Sequence, residues 1–404
     1  MGETLRLGVI GLGRAGAGML AAMARHPDIH VSAAADLHRE HLDRFQEDFG
    51  GLAFTDVAAL CESPEVDAVY VATPHEYHAA HVTLAAERGK HVIVEKPMAL
   101  TLEDCDRMIA AAERAGIALI VGHTASFNPG VQKMRQLIVG GEVGPLAMIS
   151  ATAYTDFLYR PRRPEELVTE LGGGIMYNQV PHQVDAARFL AGGIAKTVRA
   201  ATWSLDPKRP TEGCYTAFLT FDNGATASLV YSGYDRLDSS EIAAGRAPKE
   251  PDRYGASRRA LQSVQTPEDE IALRVSTGYG GDRPVARAGE PGRGESLLQG
   301  ELGVFIASCG DADLRLSADG VLAYTNDGMR LIPPDPWRGI QGRGAVLDEL
   351  YYAVTEGRPV VHGGRWAKAT MEVCLAMLQS SREQREIPLM HQTPTLDLDI
   401  RRTT

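Results

Sequence analysis

Six residues near the amino terminus, Gly11-Leu12-Gly13-Arg14-Ala15-Gly16, constrain the fold more than any other segment. They follow an apolar run, Leu7–Ile10, and open a helix-sized amphipathic stretch. This is the context in which the dinucleotide fingerprint G-x-G-x-x-G occurs. Gly11 permits the tight turn, Gly13 lets the backbone approach a pyrophosphate, and Gly16 allows close packing of helix on strand. The turn predicts a dinucleotide site; a glycine turn without a ligand is the alternative.

Residues 5–122 repeat this alternation of short apolar runs and helix-sized stretches. Runs that indicate buried strands lie at Leu5–Ile10, Val31–Ala35, Ala68–Ala72, His91–Val94 and Ile117–Val121. Stretches that indicate helices lie at Ala15–Arg25, Arg39–Asp48, Glu76–Arg88 and Leu102–Ala115. Such βαβ alternation predicts an α/β domain, with a doubly wound parallel sheet covered on both faces, over residues 1–125.

The pattern changes after Phe127-Asn128-Pro129. Longer alternating strands are indicated at Ala147–Tyr154, Thr197–Trp203 and Thr216–Tyr231, the last interrupted by a hairpin turn at Asp222-Asn223-Gly224. Helices are indicated at Gly344–Thr355 and Arg365–Ser380. We therefore expect an α+β domain over residues 126–404, with a large open, mostly antiparallel sheet. Residues 235–300 are rich in Gly, Arg, Pro and Ser and are expected to form a long loop-rich excursion.

Length and composition limit the possible classes of protein. A chain of 404 residues exceeds what one hydrophobic core usually organises, which favours two domains. The formal net charge of −11 disfavours nucleic acid and anionic membrane surfaces as partners. No apolar run approaches the ~20 residues of a membrane span, and a secretory signal pattern is missing, so a cytoplasmic location is expected. Five scattered cysteines suggest neither a disulfide framework nor a metal site.

Asp36 ends the second predicted strand, at the position that selects between the two nicotinamide cofactors. A carboxylate there accepts hydrogen bonds from the adenosine ribose hydroxyls and repels a 2′-phosphate. The sequence therefore favours NAD over NADP. Arg39 could instead turn toward a phosphate, although an exposed helix arginine is the simpler interpretation.

Glu95-Lys96-Pro97 follows the strand at His91–Val94, on the sheet edge where ligands bind in doubly wound folds. Partial burial and a nearby cationic nicotinamide would make Lys96 a proton carrier beside the hydride path. From the spacing alone, a surface Lys-Pro turn is an equally good interpretation.

Four segments together resemble the Gfo/Idh/MocA oxidoreductase family. They are the glycine turn, Ala72-Thr73-Pro74 followed by His78, Glu95-Lys96-Pro97, and the stretch from Gly172-Gly173-Gly174 to His182-Gln183-Val184-Asp185. The resemblance implies that Lys96 and His182 act at the substrate. The cofactor contacts that we expect are Gly11, Leu12, Gly13, Arg14, Ala15, Gly16, Asp36, Thr73, Pro74, His78, Glu95 and Lys96.

Two positions depart from that family's pattern. Relatives usually carry an aspartate four residues before the histidine, whereas this chain has Asn178 after Tyr177. An amide cannot accept a proton but can orient a hydroxyl, so acid–base chemistry would fall to Lys96 and His182. Basic or amide residues that often precede the Phe-x-Pro are also missing here. Thr124 is still a candidate substrate contact, with helix capping as the alternative.

Three arginines lie on a proline-bracketed segment, Tyr159-Arg160-Pro161-Arg162-Arg163-Pro164, just before the glycine run. Guanidinium groups pair bidentately with carboxylates, so Arg160, Arg162 and Arg163 suggest an anionic substrate; a solvated loop or subunit contact is the alternative. This segment and the chain length resemble the family branch that oxidises the 4,5-cis-dihydrodiol of phthalate to 4,5-dihydroxyphthalate. The arginines would hold the vicinal carboxylates, and Tyr177 with Asn178 would orient the diol.

Two other functions remain open at this point. The first keeps the enzyme but changes its substrate to a sugar, inositol or sugar acid, as is common in the family. The second is a non-catalytic regulator that binds NAD(P), which the presence of both Lys96 and His182 disfavours. Because an open sheet needs cover, we also expect a homodimer or homotetramer.

Overall fold

The computed structural model describes residues 4–122, 125–243, 254–276, 300–335 and 343–396. The chain divides into two compact units. The first comprises Met1–Gly122, Glu268–Glu295 and Arg338–Lys368. The second comprises His123–Pro267, Ser296–Trp337 and Ala369–Thr404.

The first unit contains a six-stranded parallel sheet in the order β3-β2-β1-β4-β5-β6. Its strands are β1 (Leu5–Ile10), β2 (Ile29–Ala35), β3 (Leu52–Phe54), β4 (Ala68–Val71), β5 (His91–Val94) and β6 (Leu119–Val121). Its first helices are α1 (Arg14–Met23), α2 (Arg39–Phe49), α3 (Val57–Glu62), α4 (His78–Glu87) and α5 (Leu102–Ala115). The predicted doubly wound Rossmann architecture is confirmed.

The strands of this unit are nearly continuous runs of buried aliphatic residues, as expected when helices cover both faces of a parallel sheet. All four residues of β4 are buried, and so are the last four of β1. Capping residues mark both ends of α5. Thr101 accepts a hydrogen bond from the Asp104 backbone N–H at the start of α5, and Gly116 ends that helix in the left-handed conformation.

The second unit contains a nine-stranded sheet in the order β14-β13-β12-β11-β7-β10-β9-β8-β15. Its strands are β7 (Leu146–Tyr154), β8 (Ala195–Trp203), β9 (Cys214–Phe221), β10 (Thr226–Ser232), β11 (Val304–Cys309), β12 (Asp313–Ser317), β13 (Gly320–Thr325), β14 (Gly328–Ile332) and β15 (Ile387–Pro388). Strands β7 and β10 run parallel, and the other neighbouring strands of the described part run antiparallel. The predicted open, mostly antiparallel sheet is confirmed.

Helices complete the described part of the chain. They are α6 (Pro129–Val139), α7 (Gly174–Asn178), α8 (Val180–Ala191), α9 (Ser240–Ala243), α10 (Ala256–Gln262), α11 (Pro267–Ser276), α12 (Arg343–Glu356) and α13 (Gly364–Glu383). Every residue of α8 is buried, and this helix packs on β7 and β10. No helix in the described ranges is both long enough and apolar enough to cross a membrane. Helices α9, α10 and α11 lie in the segment for which a loop-rich excursion is predicted.

A fully buried arginine fixes the end of α8 to the C-terminal segment. Arg188 donates to the carbonyl oxygens of Gly193 and Thr393, to the Gln392 amide oxygen and to the Thr370 hydroxyl. Burial lowers the pKa of Arg188 to about 10, so the guanidinium is still charged at neutral pH. These bonds offset the cost of burying that charge and hold α8 in place on the sheet.

Candidate active site

The turn between β1 and α1 has the geometry that its glycines predict. Gly11 has a φ of +95°, and a Cβ there would lie 2.9 Å from the Ala72 carbonyl oxygen. A Cβ on Gly16 would lie 2.0 Å from the Gly11 carbonyl oxygen. Both positions therefore require glycine for the turn itself, whether or not a ligand is present.

Gly13 differs from these two glycines. Its φ of −64° is open to any residue, and a Cβ added there would meet nothing within 4 Å. Gly13 is also the N-cap of α1, at the positive end of the helix dipole. The turn therefore leaves room at a position suited to an anion, which is what a pyrophosphate requires.

Asp36 connects the end of β2 to the glycine turn. One carboxylate oxygen accepts a hydrogen bond from the Leu12 backbone N–H at 2.7 Å, and the other accepts one from His38 N–H at 2.8 Å. The His41 ring lies 3.3 Å from the second oxygen. Burial alone would raise the pKa of Asp36, but these hydrogen bonds outweigh it and lower the pKa, so the carboxylate stays ionised.

Lys96 directly follows Glu95 after β5, and the Glu95 side chain fixes the backbone at Lys96. The Glu95 carboxylate accepts a hydrogen bond from the Tyr70 hydroxyl and lies 3.2 Å from the Lys96 backbone N–H. Tyr70 is fully buried in β4, and the Lys96 side chain is half-buried. Because Glu95 is occupied by these donors, its role in this structure is to fix the segment that carries Lys96. A direct contact of Glu95 with the cofactor stays a prediction.

His78 joins the segment after β4 to the segment after β5. It is fully buried, with Nδ1 2.9 Å from the Pro97 carbonyl oxygen and Nε2 2.9 Å from the Thr73 carbonyl oxygen. Burial lowers the pKa of His78, although the two carbonyl groups act in the opposite direction. The Thr73 hydroxyl lies 3.1 Å from the His81 ring. Contacts of Thr73, Pro74 and His78 with a cofactor stay predictions.

In the second unit, His182 lies in the first turn of α8 and is 7% exposed. Asp185 follows it on the same helix and accepts hydrogen bonds from the backbone N–H and the hydroxyl of Ser126, at 2.9 and 2.5 Å. These bonds fix the segment before α6 to the helix that carries His182. Asn128 accepts from Gly130 and Val131 N–H, and so caps α6.

Asn178 stabilises the glycine run that precedes it. Its side-chain amide donates to the carbonyl oxygen of Gly174 at 2.8 Å and lies 3.4 Å from that of Gly172. Both Asn178 and Tyr177 are buried, and burial raises the pKa of the Tyr177 phenol. The predicted contacts of these two residues with substrate stay predictions. Thr124 lies outside the described residues.

The three arginines of the proline-bracketed segment each pair with an acidic side chain of the same segment or its neighbourhood. Arg160 Nε donates to Asp156 at 2.9 Å. Arg162 lies 3.8 Å from Glu166, and Arg163 lies 3.6 Å from it. The Arg162 guanidinium also stacks on the Phe157 ring at 3.9 Å, and its side chain is 10% exposed against 30% for Arg160 and Arg163.

Comparison with known proteins identifies the family. The family model described as an oxidoreductase family with an NAD-binding Rossmann fold matches residues 5–123, and the GFO/IDH/MocA C-terminal domain model matches residues 131–242. The chain belongs to the Gfo/Idh/MocA oxidoreductase family. The resemblance inferred from the four sequence segments is confirmed.

Three proteins illustrate what this Gfo/Idh/MocA protein is similar to over nearly its whole chain. The 1-carboxy-3-chloro-3,4-dihydroxycyclohexa-1,5-diene dehydrogenase of Comamonas testosteroni is 39% identical, over 94% of this chain and 96% of its own. The crystal structure of a putative dehydrogenase from Bordetella bronchiseptica is 43% identical, with a TM-score of 0.87, over 95% of this chain and 100% of its own. The WlbA dehydrogenase of Bordetella pertussis, solved with NADH and UDP-GlcNAcA, is 21% identical, with a TM-score of 0.66, over 96% and 99%, and so shares the fold.

The residues present fit the nicotinamide cofactor that the Gfo/Idh/MocA family implies. The space beside Gly13 at the start of α1 suits a pyrophosphate, and the ionised Asp36 lies at the end of the neighbouring strand. No group of three or more His, Cys, Asp or Glu side chains suited to a metal ion occurs among the described residues.

Asp36→Asn is expected to shift the preference between cofactors toward NADP by ~10-fold or more, because the negative charge that would oppose a 2′-phosphate is removed. Asparagine keeps one acceptor oxygen for the Leu12 N–H, so the turn should persist. The measurement is the ratio of kcat/KM for NAD and NADP. The matched control is Asp48→Asn, which breaks the pair with Arg44 on the same helix and should leave the ratio unchanged. A wild-type protein that already prefers NADP would contradict the prediction.

Sequence reasoning missed Tyr70, whose hydroxyl holds the Glu95 side chain. A signal was present, since Tyr70 stands inside an otherwise aliphatic run, and a buried tyrosine hydroxyl usually finds a partner. It also missed Asp156 and Glu166, which pair with the arginines from positions three or four residues away in sequence.

Proposed function

We propose that the protein oxidises a carboxylated cyclohexadiene cis-diol to the corresponding catechol with NAD, and that its specific substrate is the 4,5-cis-dihydrodiol of phthalate. The observation that carries the proposal is the 39% identity, over 94% of this chain, to an enzyme named as a carboxy-dihydroxycyclohexadiene dehydrogenase. The proline-bracketed, arginine-rich segment supports an anionic substrate. Its two partly exposed arginines, Arg160 and Arg163, support a substrate with two carboxylates.

The reaction removes a hydride from one carbinol carbon of the diol and a proton from the hydroxyl on that carbon. NAD, when bound, is the hydride acceptor. The resulting ketone tautomerises to a catechol as a proton moves from the ring carbon to the ketone oxygen, so the net products are the catechol, NADH and the one proton that left the hydroxyl. Rearomatisation of the ring favours the forward direction.

Lys96 is the residue proposed to take the hydroxyl proton. Its amine, when neutral, accepts a proton at Nζ, and its backbone is fixed by Glu95 and, through Pro97, by His78. Because the backbone is fixed, fewer conformations of the lysine side chain are lost when substrate binds. The role itself comes from the family resemblance.

The second unit supplies the residues proposed to bind the substrate. Arg160 uses Nε for Asp156, and its two Nη groups are further donors suited to a carboxylate. Arg163 is as exposed as Arg160, whereas Arg162 is stacked on Phe157 and holds the segment in shape. We assign the two carboxylates of the substrate to Arg160 and Arg163. His182 is the residue proposed to act on the diol.

One observation favours a second candidate, a dehydrogenase for a sugar or sugar acid. All three arginines already have a carboxylate partner within the chain, as they would if the segment only stabilised the fold. If the segment only stabilises the fold, the substrate would not need two carboxylates. The two candidates differ in what a change at Arg160 does to substrate affinity.

Arg160→Gln is expected to raise KM for the phthalate dihydrodiol by about 10- to 100-fold, since a charge-assisted hydrogen bond to a carboxylate is lost. KM for NAD should stay unchanged. The measurement is steady-state NADH formation. The control variant is Arg199→Gln, which removes an arginine of β8 that donates to Ala200 and Ser380.

A double variant, Arg160→Gln with Asp156→Asn, distinguishes the two candidate functions. If Arg160 serves only to neutralise Asp156, removing both charges should restore the wild-type KM. The proposed function predicts no restoration. NADH formation from inositols or sugar acids, and none from a carboxylated dihydrodiol, would contradict the proposal while leaving the oxidoreductase family assignment intact.

A further inference from the structure

Two buried tyrosines face each other across β9 and β10. Tyr215 and Tyr231 are direct partners in the antiparallel pairing, with ring centroids 6.1 Å apart and ring planes within 9° of parallel. They are 1% and 0% exposed. Burial raises the pKa of both phenols well above the usual value, so both hydroxyls stay protonated and act as hydrogen-bond donors throughout the working range of pH.

Each hydroxyl donates to a glutamine at the start of α8. Tyr231 donates to the Gln179 amide oxygen at 3.1 Å, and Tyr215 donates to that of Gln183 at 2.6 Å. Residues four apart on a helix are separated by about 6 Å along its axis, which matches the spacing of the two stacked rings. The tyrosine pair is therefore spaced to hold one turn of helix at both of its ends.

His182 belongs to that turn. Its backbone N–H donates to the Gln179 carbonyl oxygen at 3.1 Å, and Gln183 follows it directly. The Gln183 amide nitrogen also donates to the carbonyl oxygens of Val230 and Glu301, at 3.3 and 3.2 Å. We propose that Tyr215 and Tyr231 are positioning residues that fix His182 through Gln183 and Gln179. These four residues, two tyrosines and two glutamines, form the tyrosine–glutamine cluster.

The cluster also reaches the arginine-rich segment. The Thr155 hydroxyl lies 2.5 Å from that of Tyr231 and accepts a hydrogen bond from Phe157 N–H at 3.2 Å. Because Tyr231 donates to Gln179, Thr155 is the donor to Tyr231. Phe157 in turn carries the stacked Arg162 on its ring. A continuous series of contacts thus runs from the arginine segment to the turn that holds His182.

This inference rests on the proposed function only for the role of His182 in catalysis, so its test begins with a measurement that needs no substrate. The whole protein is labelled with ¹³C in its histidine rings, and the His182 resonance is assigned by its loss in His182→Asn. Tyr231→Phe and Tyr215→Phe are each expected to shift that resonance. The matched control is Tyr234→Phe, which removes a buried hydroxyl bonded to Leu205 N–H and should leave it unmoved.

A second variant removes the Tyr231 bond from the helix side. Gln179→Met is expected to shift the His182 resonance as Tyr231→Phe does. It replaces Tyr231→Phe as the test if that variant does not fold. The double variant Tyr231→Phe with Gln179→Met should shift the resonance no further than the larger of the two single shifts, since both changes remove the same hydrogen bond. A resonance that stays in place in Tyr215→Phe, Tyr231→Phe and Gln179→Met would overturn the proposal.

Kinetics then connect the cluster to turnover. With the phthalate dihydrodiol, Tyr231→Phe is expected to lower kcat by about 10-fold while the affinity for NADH changes by less than about twofold. If the variants shift the His182 resonance but the wild-type protein does not oxidise the diol, the role of the cluster is retained and the proposed function is rejected. Turnover of the diol that is unaffected by either tyrosine variant would reject the cluster and retain that function.

Discussion

Lys96→Ala is expected to lower turnover by about three orders of magnitude while NADH binding stays measurable. The substitution removes the amine that we assign as proton acceptor. It leaves the backbone intact, because the Glu95 carboxylate accepts from the Tyr70 hydroxyl and His78 contacts the Pro97 carbonyl, and neither bond uses the Lys96 side chain. Stopped-flow turnover and NADH fluorescence titration measure the two quantities separately.

Lys96→Arg separates proton transfer from charge. Arginine keeps a positive charge but does not give up its proton at neutral pH, so turnover should fall as it does in Lys96→Ala. The matched control is Lys90→Ala, since the Lys90 amine donates to the Ser63 and Val66 carbonyl oxygens in the same unit and is assigned no part in the chemistry. Normal turnover in Lys96→Ala would remove Lys96 from the mechanism, and loss of NADH binding would make its role structural.

Gly13→Ala is expected to weaken NADH binding by about 100-fold with a melting temperature within about 1 °C of the wild type. The backbone at Gly13 is in a conformation open to alanine, and the added Cβ meets no atom of the protein within 4 Å. The methyl group would instead occupy the space that a pyrophosphate needs at the start of α1. Isothermal titration with NADH and thermal unfolding of the unliganded protein measure the two effects.

Gly16→Ala provides the contrast to Gly13→Ala. A Cβ there would lie 2.0 Å from the Gly11 carbonyl oxygen, so this variant should lose thermal stability as well as cofactor affinity. The pair thus distinguishes a glycine required by the turn from one required by the ligand. Wild-type affinity for NADH in Gly13→Ala would show that the space beside Gly13 is not where the cofactor binds.

The large features of the fold could be predicted from the sequence because buried parallel strands are continuous apolar runs. Both β1 and β5 have the bounds expected from their runs. The sequence did not indicate β3 or α3. Strand β3 has three residues, none of them buried, and α3 has six, so neither is long enough to show a period.

The candidate residues of the site come from motifs in the sequence, but the partners of their side chains do not. The positions of Lys96, His182 and the arginines follow from local motifs. Which carboxylate forms an ion pair with an arginine depends on burial and on competing ligands, and a sequence motif specifies neither. The pairing of Tyr231 with Gln179 depends on the register of β9 and β10 beneath α8, which relates residues 52 apart in sequence.

The proposed preference for a dicarboxylated dihydrodiol can be measured as kcat/KM for NADH formation from three diols in parallel. These are the cis-dihydrodiols of phthalate, of benzoate and of benzene, which carry two carboxylates, one and none. We expect kcat/KM to fall by about 10-fold or more with each carboxylate removed, while KM for NAD stays constant. Equal values for the three diols, or turnover of myo-inositol in preference to all of them, would contradict it.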